Sequence, residues 1–421
     1  SAFVKRLGTP STFALLCCIS IALRVAMVLY QGEDSVRHME DYSIAVNIAE
    51  GRGYSIGNAV NFQPTALKAP VYPLFLSAVV YAVPESHRLI ACALIQHLLV
   101  GMAPLLLLVA LRRFGFGSIA GPAALVLLLH PSYFVYPSTL ESTNLFVPLC
   151  LVWILALQQC MPTTSFQTSR VVGSRRKIAA GIAGAGVILC QPIVLPIVLY
   201  GWYKLARQGT SIAGMAITCL CVMAPWTIRN YIVFNEFIPL KSPVWMNVVT
   251  GFSERSHGVP ALNTISQENR ISLDSLERCG SDVTRERLYR KIAVQSISEH
   301  PTSFAQKTAV QIWRYWTFPP LYDRSWLSLP FLMGRLLPVL FLIITMVISA
   351  RYYRNYIHLL LPIWCILAYT TLVYGLTHTS NIRFKLDFEW IQCITAGVVI
   401  HELVSRRFAG RTDTADHRTA A

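Results

Sequence analysis

The stretch MEDYSIAVNIAEGRGY, residues 39–54, separates the first two long hydrophobic runs and places acidic side chains directly beside membrane-like sequence. Apolar residues such as Ala45 and Ile48 recur at helical spacing, and Gly51 is a natural carboxy-terminal stop. The spacing predicts a short helix that carries Asp41 on the same face as Ala45 and Ile48. A carboxylate at the edge of an apolar surface is suited to general-base work.

The composition of the whole chain is that of a membrane protein. Of its 421 residues, 54% are hydrophobic and only 14% are charged, and several apolar runs are long enough to cross a bilayer. We therefore expect an all-α polytopic membrane protein and not an ordinary soluble one. The formal net charge of +15 is compatible with a nucleic-acid partner, but in a membrane protein the positions of the charges decide their meaning.

Ten hydrophobic segments predict about ten transmembrane helices. They occupy residues 13–30, 89–111, 119–130, 141–159, 178–190, a segment ending near Lys204 and Arg207, and residues 212–226, 331–350, 357–375 and 391–403. The first segment follows Lys5 and Arg6, as in a signal peptide, but Arg24 interrupts it and no small-residue cleavage site follows. We interpret it as the first transmembrane helix, with Arg24 snorkelling towards the external surface.

Basic residues are concentrated in alternate loops between these segments. The clusters are Arg112-Arg113, residues 170–177, Lys204 with Arg207, Arg351 with Arg354, and Arg406-Arg407. A cytoplasmic amino terminus puts every cluster on the cytoplasmic side, as the positive-inside bias requires. Both termini are then cytoplasmic, and the acidic stretch lies on the opposite side. The basic charge is thus a topology signal, and we expect no nucleic-acid partner.

Changes in polarity divide the chain into four parts. They are a transmembrane module at 1–234, with its first external loop at 31–72, an external (periplasmic) segment at 235–326, carboxy-terminal transmembrane helices at 327–409, and a disordered cytoplasmic tail at 410–421. The external segment is too long for a simple connector. It carries amphipathic helical patterns at 284–300 and 304–316, which Pro301 separates, so we expect a small helical unit lying against the membrane.

Several classes of chemistry have no support in the sequence. Ten of the eleven cysteines lie in or beside hydrophobic runs, where they are expected to pack as small apolar residues, and Cys279 stands alone in the external segment. The ten histidines are scattered without zinc-binding spacing, and there is no glycine-rich phosphate loop and no nucleophile elbow. We expect no cofactor and predict no metal site, and dependence on a divalent metal is left open.

Four segments, in this order along the chain, resemble the GT-C glycosyltransferases of the protein O-mannosyltransferase superfamily, which include bacterial enzymes that use polyprenyl-phosphate sugars. The segments are residues 41–54 with PTALKAPVYPL at 64–74, APWTIRNY at 224–231, Glu299-His300-Pro301 with Phe304 and Trp313, and NIRFK at 381–385. Together they extend over most of the chain. The last of them lacks the proline that usually follows it in the family.

The resemblance implies a GT-C architecture and transfer of a sugar, with inversion, from a polyprenyl-phosphate carrier on the non-cytoplasmic face of a bacterial inner membrane. Asp41 matches the acidic residue that deprotonates the acceptor in such enzymes, and the adjacent Glu40 is the alternative base. The expected partners are the lipid-linked sugar donor, a lipid, glycan or protein acceptor, and membrane lipids. Neither the sugar nor the acceptor follows from the sequence.

A lipid-phosphate leaving group needs positive charge near the external membrane surface. Four basic residues fall at that level in the predicted topology and are the expected donor phosphate-binding residues: Lys68, Arg383, Arg229 and Lys385. For Arg229 and Lys385, anchoring to lipid headgroups is an equal alternative.

Four further residues are assigned to the predicted pocket: Tyr42, Tyr72, Glu141 and His378. Three of them have a simpler explanation. Glu141 follows Ser138 at capping-box spacing, so a helix cap is its default role. Tyr72 stands between two prolines and is suited to packing, and His378 is equally consistent with an exposed loop residue.

Two other functional classes are compatible with a polytopic membrane protein. A transporter or flippase for a lipid-linked or anionic substrate also needs charges within the membrane, but here the charges are concentrated at one external level and no inverted repeat relates the two halves. A non-catalytic scaffold gives no reason for Asp41, Lys68 and Arg383 to share that level. Loss of activity in a folded Asp41→Asn protein would separate an enzyme from both.

Overall fold

The computed structural model describes residues 10–162, 173–252, 281–317, 332–377 and 382–416. Its helices are α1 (Pro10–Gln31), α2 (Glu40–Ala49), α3 (Val71–Ala82), α4 (Arg88–Arg113), α5 (Gly117–Leu129), α6 (Pro131–Val135), α7 (Thr143–Gln158) and α8 (Ser174–Ile188). They continue with α9 (Leu195–Arg207), α10 (Ala213–Phe234), α11 (Trp245–Phe252), α12 (Asp282–Glu299), α13 (Pro301–Thr317), α14 (Leu337–Ser349), α15 (Tyr353–Thr377) and α16 (Ile382–Asp416). The strands are β1 (Arg37–His38), β2 (Ser55–Gly57), β3 (Phe62–Pro64) and β4 (Thr139–Leu140).

Among the described residues, four helical stretches are long and apolar enough to cross a membrane. They are Ser11–Gln31, Glu85–Arg113, Ala213–Phe234 and Met333–Thr377, and the number rises to five if Gly117–Leu129 and Pro131–Ser138, bent by 58°, form one broken span. Each of the ten predicted segments overlaps a helix. The protein is therefore an all-α, multi-pass membrane protein, as predicted, but the predicted number of ten spans is not confirmed.

Two short sheets organise the loops around the amino-terminal helices. β1 pairs in parallel with β4, with Arg37 opposite Thr139 and His38 opposite Leu140. β2 and β3 form an antiparallel hairpin directly after α2. The β1–β4 pairing fixes the segment that leads into α2 beside the segment that leads into α7.

The external segment is helical where the structure describes it. α12 covers Asp282–Glu299, and Pro301 begins α13, so the two amphipathic patterns and the break between them are confirmed. Ile292 and Ala293 of α12 are buried against Val248 and Val249 of α11. Residues 253–280 and 318–331 lie outside the described residues.

The last helix differs most from the sequence prediction. α16 begins at Ile382, ahead of the predicted span, and continues to Asp416, beyond the predicted start of the tail. The hydropathy pattern misses its first turns because they carry charged residues, yet Lys385, Asp387 and Glu389 are all fully buried. These turns lie inside the helix bundle, where they help to form the site described next.

Arg24 also departs from its prediction. It is buried in α1, and its Nη1 donates a hydrogen bond to the carbonyl oxygen of Tyr133 at 2.6 Å. The prediction that Arg24 snorkels to the surface is therefore wrong. The guanidinium instead joins α1 to α6, because a buried charge needs partners within the protein.

Candidate functional site

Asp41 lies in the first turn of α2, where the positive end of the helix dipole favours a carboxylate. Its side chain faces inward with Ala45, and only 2% of the residue is exposed. Ile48, on the same predicted face, is half-buried. α2 ends at Ala49, and Gly51 follows with a φ of +79°, so both the predicted helix and its stop are confirmed.

Lys68 is the cation that faces Asp41. Its Nζ lies 3.1 Å from Oδ2 of Asp41 and 3.3 Å from Oε2 of Glu40. The hydroxyl of Tyr54 donates to the carbonyl oxygen of Lys68 at 3.0 Å, which fixes the backbone from which the lysine side chain extends. Glu40 is half exposed, with 50% of its side chain accessible. The structure thus places both candidate bases beside one lysine.

Glu141 and Arg383 form a second ion pair next to this one. Nη1 of Arg383 lies 2.8 Å from Oε2 of Glu141. Glu141 directly follows β4, so the β1–β4 pairing brings it towards the start of α2 and Asp41. The expected capping role of Glu141 is wrong, because α7 begins after Ser142 and the Glu141 carboxylate binds the guanidinium instead. We call these five side chains the loop cluster: Glu40, Asp41, Lys68, Glu141 and Arg383.

Burial and charge act differently on the three groups around Lys68. Burial raises the pKa of Asp41 above its ordinary value, and this outweighs the opposing charges of Lys68 and Arg383. Burial opposes the charged form of Glu40, but the positive charge of Lys68 outweighs this effect and lowers the pKa of Glu40. Burial also opposes the charged form of Lys68, but the nearby carboxylates, above all Asp41, raise the pKa of Lys68. Of the two candidate bases, Asp41 is therefore the one whose affinity for a proton is strengthened, which suits a general base.

Oδ2 of Asp41 is buried and lies 3.1 Å from Nζ of Lys68, the ion-pair partner that keeps the carboxylate in place. The described part of the chain brings no three His, Cys, Asp or Glu side chains together as a metal site.

Arg229 binds the backbone of the first external loop and is not part of the loop cluster. Its Nη1 donates to the carbonyl oxygen of Thr65 at 2.8 Å, and its Nη2 donates to that of Tyr54 at 2.7 Å. The guanidinium also lies over the rings of Tyr54 and Trp226, 5.4 Å from each ring centre. The structure therefore gives Arg229 a role in fixing the backbone on either side of the β2–β3 hairpin.

Lys385 belongs to a different group of charges. Its Nζ donates to Oε1 of Gln392, lies 3.9 Å from Oε1 of Glu389, and stands 4.4 Å from the Trp316 ring centre. Residues two apart on a helix face in different directions, so Lys385 points away from Arg383. We call this group the helix cluster: His130, Arg335, Lys385 and Glu389. Its central contact is Nη1 of Arg335 to Oε2 of Glu389, at 2.6 Å.

The other predicted pocket residues have structural contacts. Tyr72 is fully buried and donates from its hydroxyl to Oε1 of Gln96 at 2.7 Å. Tyr42 is half-buried, with its ring 5.2 Å from that of His38. His378 lies outside the described residues.

Sequence reasoning missed two acidic residues near the site. Asp387 accepts hydrogen bonds from Thr143 at 2.6 Å, Gln191 at 3.1 Å and Tyr374 at 3.3 Å. Its position four residues after Arg383 on α16 would have indicated a shared face, had the helix been predicted to start early enough.

Asp282 is the second missed residue. Its Oδ2 accepts hydrogen bonds from the Ala66 backbone N–H at 2.8 Å and from the Ser242 hydroxyl at 3.0 Å. It therefore joins the first external loop to the external segment. No sequence signal identifies this contact, because its partners lie far apart in the chain.

Comparison with protein-family models finds no match, and comparison with curated proteins finds none either. Among solved structures, the chain is similar to the crystal structure of ArnT from Cupriavidus metallidurans bound to undecaprenyl phosphate, with 12% identity and a TM-score of 0.43, covering 92% of this chain and 78% of that chain. The apo state of ArnT gives 15% identity and a TM-score of 0.35, covering 90% of this chain and 77% of that chain. These values describe a distant likeness that extends over most of the chain.

Proposed function

We propose that this protein is a GT-C-type membrane glycosyltransferase that moves a sugar from a polyprenyl-phosphate carrier to an acceptor hydroxyl, with inversion. The observation that carries the proposal is the loop cluster. A buried carboxylate that is ion-paired with Lys68 lies beside cations that remain partly open to solvent.

Asp41 acts as the general base. It takes the proton of the acceptor hydroxyl as that oxygen attacks the anomeric carbon, and the bond from this carbon to the carrier phosphate breaks. Burial makes the carboxylate a better proton acceptor than an ordinary aspartate, since it raises the pKa. Glu40 is half exposed and its pKa is lowered, so it supports Lys68 and does not replace Asp41.

Lys68 and Arg383 hold the departing phosphate. Fifteen per cent of the Lys68 side chain and 24% of the Arg383 side chain are exposed, so an incoming phosphate can reach both. Guanidinium and ammonium groups stabilise the charge that develops on the leaving oxygen, and a guanidinium can bind two phosphate oxygens at once. Asp41, Glu40 and Glu141 keep these cations in place before the carrier binds.

The reaction takes place on the periplasmic or external side of an inner (plasma) membrane. The positive-inside bias supports this orientation, because it assigns the basic loops to the cytoplasm and the loop cluster to the opposite face. The proposal requires no cofactor, since the base and the phosphate-binding cations all come from the chain. Turnover should therefore persist in EDTA.

The test is an assay of purified protein with a panel of polyprenyl-phosphate sugars and candidate lipid, glycan and protein acceptors. Free polyprenyl phosphate should appear together with a glycosylated acceptor of inverted anomeric configuration. A protein that moves the intact lipid-linked sugar across vesicle membranes without releasing polyprenyl phosphate would instead be a flippase. That result would overturn the proposal.

A further inference from the structure

We propose that Lys241 is a third cation for the phosphate of the lipid carrier, acting beside Lys68 and Arg383. This inference rests on the proposed function and adds a binding residue from the external segment. It assigns part of the donor site to a region that the sequence motifs do not cover.

Backbone contacts bring Lys241 to the loop cluster. The N–H of Ser242 donates to the carbonyl oxygen of Ala66 at 2.8 Å, and Ala66 stands two residues before Lys68. Asp282 fixes this contact, since its Oδ2 accepts hydrogen bonds from the Ala66 N–H and the Ser242 hydroxyl. Lys241 therefore extends from a backbone segment that is tied directly to the segment carrying Lys68.

The side chain of Lys241 differs from the two other cations in its partners. Lys68 forms ion pairs with Asp41 and Glu40, and Arg383 forms an ion pair with Glu141. No carboxylate of the described residues forms an ion pair with Lys241, which also makes no hydrogen bond through its side chain within them. A half-buried ammonium without an anion is stabilised by an anionic ligand, because burial removes part of its hydration.

A cleft gives access to Lys241. It has a volume of about 270 Å³ and lies between residues 236–245 and the first turns of α12. Three of its charged side chains are already engaged: Glu286 accepts backbone N–H groups at the start of α11, and Glu236 binds Arg287. Arg290 stands 6.0 Å from the Trp245 ring centre. Among these lining groups, Lys241 directly precedes Ser242, whose backbone N–H binds the loop segment that carries Lys68.

The protonation of Lys241 gives the inference a measurable signature. Burial lowers its pKa to about 8, and the charges of Arg383 and Lys68 act in the same direction. The titratable and charged groups that face it are Lys68 and Asp41 from the first loop, Arg383 and Asp387 from α16, and Glu236, Glu286, Arg287 and Arg290 from the cleft. A bound phosphate favours the protonated lysine, so affinity for the carrier should fall as the pH rises through about 8.

The experiment measures the binding of undecaprenyl phosphate to the full chain in detergent or nanodiscs between pH 6.5 and 9.5. We expect Lys241→Gln to weaken binding about tenfold at neutral pH, as the loss of one charge-assisted contact does. Lys241→Arg should retain the affinity and lose the decline above pH 8, because a guanidinium stays charged. Lys291→Gln, the same change at an exposed position of α12, is the matched control and should bind as the wild type does.

The outcomes separate this inference from the proposed function. A wild type that binds no undecaprenyl phosphate overturns both. Equal affinity of the wild type and Lys241→Gln, with no change of affinity through pH 8, overturns the inference and leaves the glycosyltransferase proposal intact. Normal carrier affinity in Lys241→Gln with a raised KM for the acceptor would assign Lys241 to the acceptor and also overturn the inference.

Discussion

Arg383 and Lys385 stand two residues apart on α16, yet they belong to two different ion clusters. Arg383 joins the loop cluster, where 24% of its side chain and 15% of that of Lys68 are exposed. Lys385 joins the helix cluster, where 2% of its own side chain and 7% of that of Arg335 are exposed. We therefore expect a ligand to exchange with the partners of the open cluster, and the closed cluster to contribute only to the packing of the helices.

The comparison teaches that charge alone does not identify a binding residue in a membrane protein. Both clusters are buried enough for their charges to need partners, and both contain carboxylates that are ion-paired with cations. They differ in access and in the elements that supply them. The loop cluster draws most of its residues from loops and the first turn of α2, while the helix cluster is formed by residues in and next to helices.

The largest expected effect is the loss of catalysis in Asp41→Asn. The amide keeps the shape and cannot take a proton, so turnover should fall by about 100-fold to 10,000-fold. Carrier binding should change little, because Lys68 and Arg383 remain. Steady-state release of polyprenyl phosphate and a separate binding measurement would show both results. An active Asp41→Asn together with an inactive Glu40→Gln would move the base by one residue.

A substitution in the helix cluster should lower the stability of the protein and leave its catalysis unchanged. Glu389→Gln leaves Arg335 and Lys385 buried without their carboxylate, which should cost about 3–5 kcal/mol of unfolding free energy. A lower thermal unfolding temperature in detergent, with carrier affinity unchanged in the folded fraction, is the expected result. An undiminished unfolding temperature with lost carrier binding would show that the cluster is open to ligand after all.

Carrier affinity should distinguish the two basic residues of α16. Arg383→Ala removes a charged contact to phosphate and should weaken the binding of undecaprenyl phosphate at least about tenfold. Lys385→Gln is the matched change on the other face of the helix and should leave the affinity within about twofold, since this lysine makes its contacts inside the helix cluster. The opposite ranking would contradict the assignment of the two clusters.

The smallest expected effect is a shift in the pH profile. Lys68 lowers the pKa of Asp41 against the larger effect of burial, so Lys68→Gln removes a charge that favours the carboxylate. The pKa of Asp41 then rises further, and the acid limb of the turnover profile should move to higher pH. A profile of turnover against pH for both proteins checks this, with Lys291→Gln as the control. A shift to lower pH would exclude Asp41 as the titrating base.

Local patterns predicted the local structure well. The spacing of apolar residues predicted α2, and Gly51 predicted where it ends. The pattern around Pro301 predicted α12 and α13. The pairing of Asp41 with Lys68 was also within reach, because both residues belong to the first external loop. Short-range periodicity and turn chemistry carry this information without knowledge of the rest of the fold.

Three parts of the site depended on information that local patterns do not contain. Hydropathy placed the start of the last helix after its charged turns, so Arg383 and Lys385 were assigned to the same site. Glu141 has capping-box spacing from Ser138, but the β1–β4 pairing gives it a different partner. Lys241 carries no motif, and its position depends on a backbone hydrogen bond to Ala66.

The contacts of Asp282 and Arg383 also impose an order on biosynthesis. Asp282 binds Thr65, which was translated 217 residues earlier, and Arg383 binds Glu141 across a separation of 242 residues. The acidic loop is therefore made and inserted long before the groups that hold it and balance its charge. Only insertion of α16 completes the cluster. A nascent or truncated chain that ends before α16 lacks Arg383, so the proposed site is incomplete until α16 has been inserted.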